Sequence, residues 1–159
     1  MGEQLILHEG LKLHRYKDTK GFWTLGVGFN LDARGKIEFE RLIGRALNLT
    51  CDITRVEALR VLNHDIQKYE GEVLRLWPAY VFLDEVRQRV CLDMAFNMGY
   101  GAMKFKNTMK YIVKRDWPKA AYNMWQSKWA DDVGDGPGLK RDRADRLTEM
   151  MLTGQDYVS

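Results

Sequence analysis

The chain alternates between two patterns of apolar spacing. Residues 3–9 place Leu5 and Ile6 in a short helical segment that Gly10 ends. Residues 13–31 then change period. Lys17-Asp18-Thr19-Lys20-Gly21 is a turn cluster, and Phe22 to Phe29 is aromatic and β-branched with interspersed glycines. That pattern predicts a hairpin, with a third strand expected around Gly35-Lys36.

From Thr54 onward the period is helical. Thr54-Arg55-Val56-Glu57 is a capping box, and Leu59, Leu62, Ile66, Tyr69, Val73 and Leu76 follow at steps of three and four. One long amphipathic helix results, ended by Pro78, which disfavours helical geometry at Trp77. Asp84 caps the next helix. Its stripe of Val86, Val90 and Met94, with Cys91, Ala95 and Met98 alongside, is wide enough for a central buried helix that Gly99-Tyr100-Gly101 breaks. Further helices are expected at about 106–114, 117–128 and 139–152, with Asp116 capping the second and Gly154 closing the last. Gly134 to Gly138 reads as a loop.

These elements predict an α+β, mostly helical chain forming a single domain over 1–159. A small β-containing lobe takes about 11–53, a connecting helix about 54–77, and a helical lobe about 78–159, on which the first helix packs. A cleft between two such lobes is the expected ligand site.

Composition changes this picture little. With 159 residues, 45% hydrophobic and 30% charged, the chain has enough apolar content for a core. The net charge of +3 is mild. Its distribution is uneven, because Lys104, Lys106, Lys110, Lys114, Arg115, Lys119 and Lys128 face one acid, Asp116, in that run. Such a run attracts an anionic polymer or envelope, although most basic runs are solvated helix faces. Wall or outer-membrane affinity is expected of it, separate from catalysis. No helix-turn-helix or stacking platform supports nucleic acid.

Cys51 and Cys91 form no CxxC pair and sit among apolar neighbours, so free buried thiols are expected. The longest charge-free run, Gly21 to Leu31, is too short and glycine-rich to cross a bilayer. Met1-Gly2-Glu3 starts no basic-then-apolar pattern, so no secretory signal is expected.

Two carboxylates carry the candidate chemistry. Glu9 ends the first helix, where backbone carbonyls disfavour the ionised form; that suits a general acid. Asp18, in a more exposed turn, is expected to stay ionised. Two carboxyls in contrasting surroundings suit glycoside hydrolysis. Alone, each residue also fits an ordinary solvated helix end or turn. A zinc hydrolase is disfavoured, because His8-Glu9 would need His where Lys12 stands, and His14 and His64 lack ligand spacing. The segment from Asp131 is a poor calcium loop: Asp135 and Gly136 fit, but Val133 and Asp142 occupy ligand positions. No metal or cofactor is expected.

The run Glu9-Gly10 through Tyr16-Lys17-Asp18 to Gly21-Phe22-Trp23-Thr24-Leu25-Gly26-Val27-Gly28 closely resembles the signature of phage-type lysozymes, the endolysin muramidases of glycoside hydrolase family 24. Leu62-Asn63-His64-Asp65, Ala95-Phe96-Asn97-Met98-Gly99, Phe105-Lys106-Asn107-Thr108, Ser127-Lys128-Trp129 and Arg143-Ala144-Asp145-Arg146 extend the resemblance along nearly the whole chain. It implies the two-lobed lysozyme fold, with Glu9 as acid and Asp18 and Thr24 holding the attacking water. It further implies an inverting cleavage between N-acetylmuramic acid and N-acetylglucosamine of peptidoglycan, with the carboxyls roughly 6.5–9.5 Å apart. Gly28, Phe96, Thr108 and Asn123 match positions along the family's glycan groove.

The implied biology is a monomer made in a host cytoplasm, reaching the wall through a holin and lysing the host. The rival reading is a non-catalytic wall or anionic-polymer binding module, against which Glu9, Asp18 and Thr24 together argue. One departure stands out. The family usually has His where this chain has Phe29, so Asp65 needs either another partner or exposure to solvent.

Overall fold

The computed structural model of the chain describes residues 1–99, 105–133 and 142–157. The fold is α+β and mostly helical, with one small antiparallel sheet near the N-terminus. The chain divides into two compact units, residues 1–68 and 69–159.

The first unit opens with α1 (Gly2–Glu9), which ends where the Gly10 N–H meets the Ile6 carbonyl at 2.9 Å. Strands β1 (Lys12–Lys17), β2 (Trp23–Gly26) and β3 (Phe29–Asn30) form the sheet in that order. The hairpin expectation holds, and a register shift between Lys12 and Tyr16 bends β1.

The third strand differs from expectation. It lies at Phe29–Asn30, paired with Leu25 and Thr24, and the Gly35-Lys36 region is not a strand. Asn30 ends β3 by capping α2 (Leu31–Arg34), its side chain accepting from the Ala33 N–H at 2.9 Å. Gly35, at φ 85°, separates α2 from α3 (Lys36–Ile43), which buries Phe39 and Ile43 one helical turn apart. The apolar spacing there is helical, not alternating.

The long helix α4 (Arg55–Leu76) begins at the expected capping box. The Glu57 N–H donates to Thr54 Oγ1 at 3.2 Å, and the Thr54 N–H donates to Glu57 Oε2 at 2.7 Å. The core of this unit joins Leu25 and Phe29 from the sheet, Phe39 and Ile43 from α3, and Ala58 and Val61 from α4. Cys51 belongs to it as a free thiol.

The second unit begins within α4 and includes a 3-10 turn at Pro78–Phe82. Its helices are α5 (Glu85–Met98), α6 (Lys106–Val113), α7 (Trp117–Trp125), α8 (Lys128–Val133) and α9 (Arg143–Thr153). Asp84, Asp116 and Asp142 cap α5, α7 and α9 with their side chains. The helix expected over 117–128 is two helices. Ser127 interrupts it: its hydroxyl donates to the Met124 carbonyl at 2.6 Å and accepts from the Ala130 N–H at 3.3 Å, ending one helix and starting the next. The final helix starts at Arg143 behind the Asp142 cap and is closed by Gly154 as expected. The expected break at Tyr100-Gly101, the loop at 134–138 and the Asp135-Gly136 part of the calcium-loop comparison lie outside the described residues.

Helix α5 is the buried one, enclosing Val90, Cys91, Leu92, Met94 and Ala95, with Cys91 a free thiol whose pKa burial pushes up to about 12. Its two buried charges are paired. Asp93, fully buried, accepts from Arg143 Nε at 2.8 Å. Arg87 donates to the Met151 and Leu152 carbonyls at 2.8 and 3.0 Å and lies 3.9 Å over the Trp117 ring. It thereby satisfies carbonyls at the C-terminal end of α9, where a cation is favoured. Among the described residues no helix is long and apolar enough to cross a membrane.

Candidate active site

Four of the expected site residues lie in the first unit: Glu9, Asp18, Thr24 and Gly28. The first three are held by different means. Glu9 is the last residue of α1. Asp18 sits in the β1–β2 turn, which it builds with its own side chain: Oδ1 accepts from the Lys20 and Phe22 N–H groups, both at 2.9 Å. The Asp18 N–H also donates to the Phe22 carbonyl at 2.9 Å, so the turn is closed from both sides.

Thr24 is 3% exposed on β2, and its hydroxyl donates to the Phe22 carbonyl at 3.2 Å. With its proton committed there, Oγ1 keeps lone pairs that can accept from a water. One residue's backbone therefore ties both side chains. The N–H of Phe22 fixes the Asp18 carboxylate and its carbonyl fixes the Thr24 hydroxyl. The β2 strand is anchored beyond this by Asp32, which accepts from the Trp23 N–H at 2.8 Å.

Gly28 belongs against Glu9. A Cβ at Gly28 would lie 3.3 Å from Glu9 Oε2, and the residue's φ of +69° is one that side-chain-bearing residues rarely adopt. The absent side chain leaves room for the carboxylate, and the left-handed backbone keeps the position for glycine.

Tyr16 joins this set and was not singled out from sequence. It pairs directly with Thr24 across the β1–β2 ladder. Burial, followed by the neighbouring Glu9 and Asp18 carboxylates, pushes its phenol up from the ordinary value. The phenol therefore stays neutral in the field of both carboxylates. The Tyr-x-Asp spacing was the available signal, but it was read only for its Asp.

The partner required by Asp65 is Arg34. The guanidinium donates to both carboxylate oxygens, at 2.6 and 2.7 Å, and to Glu38 Oε1 at 2.8 Å. It also lies 3.9 Å over the Phe29 ring. Against the opposing cost of burial, hydrogen bonds to the Asp65 and Glu38 carboxylates hold the Arg34 guanidinium above its usual pKa. The Phe29 substitution thus supplies an aromatic face in place of an imidazole, and the cation arrives from α2.

The other three expected residues are in the second unit, each on its own helix. Phe96 of α5 is half-buried against Tyr69, ring centroids 5.2 Å apart. Thr108 of α6 is 2% exposed. Asn123 of α7 donates its amide to the Lys119 carbonyl at 2.8 Å. Among the described residues, no group of three His, Cys, Asp or Glu side chains could hold a metal ion.

The profile of the phage lysozyme family matches residues 7–146, which includes Glu9, Asp18, Thr24 and Gly28. The chain belongs to the phage lysozyme family. A probable T4-type lysozyme of Dictyostelium discoideum is 30% identical over 96% of this chain and 93% of that protein. A second from the same organism is 31% identical over 80% of this chain and 82% of its own length. The pre-baseplate central spike protein of Enterobacteria phage T4 is 26% identical over 97% of this chain, which spans only 28% of that protein. The phage lysozyme family is one of lysozyme-type glycosidases whose substrate is peptidoglycan.

Proposed function

We propose that this member of the phage lysozyme family hydrolyses the β-1,4 bond between N-acetylmuramic acid and N-acetylglucosamine in bacterial peptidoglycan, with inversion at the anomeric carbon. Glu9 protonates the leaving glycosidic oxygen. Asp18 accepts one proton from the attacking water, and Thr24 Oγ1 accepts a hydrogen bond from its other hydrogen. Water attacks the anomeric carbon as the bond to the leaving oxygen breaks, so the proton delivered by Glu9 is balanced by the one taken by Asp18. Gly28, Phe96, Thr108 and Asn123 contact the glycan.

The observation that carries this reading is the Phe22 backbone, whose N–H fixes the Asp18 carboxylate and whose carbonyl fixes the Thr24 hydroxyl, on a strand followed closely by Gly28, against which Glu9 lies. A water held by a carboxylate and a hydroxyl acceptor is oriented for attack before substrate arrives. Biologically, the proposal is an endolysin that acts as a monomer. It is made in the host cytoplasm, reaches the wall through a holin, and releases phage progeny by lysis.

The test is mass spectrometry of digested Gram-negative peptidoglycan, with Glu9→Gln as control. New reducing ends on muramic acid, absent with the variant, are expected. New amino termini or free stem peptides would overturn the reading. Excess EDTA should leave the digestion intact, and expression without membrane disruption should not lyse a Gram-negative host promptly.

A further inference from the structure

Helix α6 carries two faces. The inner one buries Thr108 and Ile112. The outer one, Lys106, Met109, Lys110, Val113 and Lys114, follows steps of three, four, seven and eight, a single continuous stripe. Val113 on that stripe is 59% exposed, and the three lysines are exposed with it. Between this stripe and Leu76-Trp77 at the end of α4 lies a groove of about 390 Å³. Its lining is mostly apolar and its rim is cationic. Asp116, the acid of this run, is bound to Lys119 at 2.8 Å and also feels the Lys114 charge, while no ion pair holds Lys106 or Lys110 among the described residues.

We propose that this groove is a docking site for an anionic phospholipid bilayer surface. The apolar part of the lipid lies against Leu76, Trp77, Met109 and Val113, and its phosphate meets the lysines. Three features of the groove favour this occupant. An apolar floor would leave the hydroxyls of a glycan or the amides of a stem peptide unpaired. A single-stranded nucleic acid asks for a row of stacking rings, and among the described residues Trp77 is the one aromatic lining the groove. A lipid matches both parts, since lysine stems lie along apolar surface while their ammonium groups reach outward to phosphate. The contact is peripheral and requires no membrane-spanning helix.

The experiment is co-sedimentation of the full chain, at low salt, with vesicles of phosphatidylcholine alone and of phosphatidylcholine with phosphatidylglycerol in equal parts. Binding to the anionic vesicles only is expected. Each lysine near such a surface is worth roughly fivefold, so Lys106→Gln/Lys110→Gln/Lys114→Gln should weaken binding by tenfold or more. Val113→Ser, at an exposed position, should weaken it by roughly threefold through the lost apolar contact. Digestion of purified peptidoglycan by both variants should match the parent, showing that they are folded.

Failure of the parent to bind anionic vesicles would overturn the proposal, as would a triple variant that binds like the parent. An effect of the lysines with none from Val113→Ser would reduce the groove to a charged patch and overturn the lipid assignment. Displacement by inorganic phosphate at matched ionic strength, or equal lysine-dependent binding to a short DNA duplex, would do the same.

Discussion

Glu9 lies against Gly28: a methyl carbon on Gly28 would stand 3.3 Å from Glu9 Oε2, at a backbone φ of +69°. Any side chain there meets the carboxylate and strains the backbone together. Gly28→Ala is therefore expected to cost about 1–2 kcal/mol in stability through the left-handed backbone. It should also lower kcat on peptidoglycan at least roughly tenfold, because the carboxylate must shift by tenths of an ångström. Urea unfolding and steady-state digestion check the two parts separately. A variant with the stability loss but parental kcat would show that Glu9 does not depend on this contact.

Tyr16 faces Thr24 across the ladder and feels both carboxylates. Removing only the hydroxyl, in Tyr16→Phe, keeps the ring in the sheet and removes the donor. We expect kcat to fall about tenfold with KM nearly unchanged. The shape of the pH–rate profile should change as well, because the phenol interacts with both carboxylates. A purely structural role would lower the melting temperature and leave the shape of that profile alone.

The sequence was informative wherever the determining contact was local. The Thr54–Glu57 capping box, the Asp84 and Asp116 caps and the Asp18 turn all involve partners within four residues, and each formed as expected. The third strand was misplaced because β3 is two residues long, too short to show alternation, and Asn30 converts it into a helix cap at once. Ser127 was hidden because its hydroxyl competes with the helix at one position inside otherwise helical spacing. Arg34 with Asp65 lies 31 residues apart, and Arg87 reaches carbonyls 64 and 65 residues on. Nothing in local spacing distinguishes such arginines from surface ones. The catalytic candidates were legible for a different reason: Glu9, Asp18, Thr24 and Gly28 fall within twenty residues, in a segment whose motif is contiguous.

The Arg34–Asp65 pair sets a stability prediction. Asp65 is 2% exposed, so removing its partner leaves a carboxylate buried without a cation on both oxygens. Arg34→Met should destabilise the protein by about 3 kcal/mol. Asp65→Leu together with Arg34→Met should cost less than the sum of the single changes, since neither charge is then stranded. Urea melts of the single and double variants check this, and losses that simply added would show that the two charges do not act as a pair.

Glu57 gives the acid dependence. Its carboxylate accepts from Arg45 Nε and Nη2, at 2.5 and 2.9 Å, and from the Thr54 N–H at 2.7 Å. The Arg45 hydrogen bonds, followed by those from Thr54, hold its pKa at about 2 against an ordinary 4.5. A carboxyl whose pKa is depressed on folding stabilises the native state above the unfolded value and loses that stabilisation as pH falls toward the folded one. The contribution is therefore complete above about pH 5 and disappears progressively between there and pH 2. Glu57→Gln removes the titrating group while keeping an acceptor for the cap. The variant should melt below the parent at pH 6, and the gap between them should narrow steadily at pH 4 and pH 3. Thermal unfolding across that series is the check. A gap that stayed constant with pH would mean the Arg45 contact adds nothing to the cap, and a gap that widened on acidification would reverse the sign of the linkage.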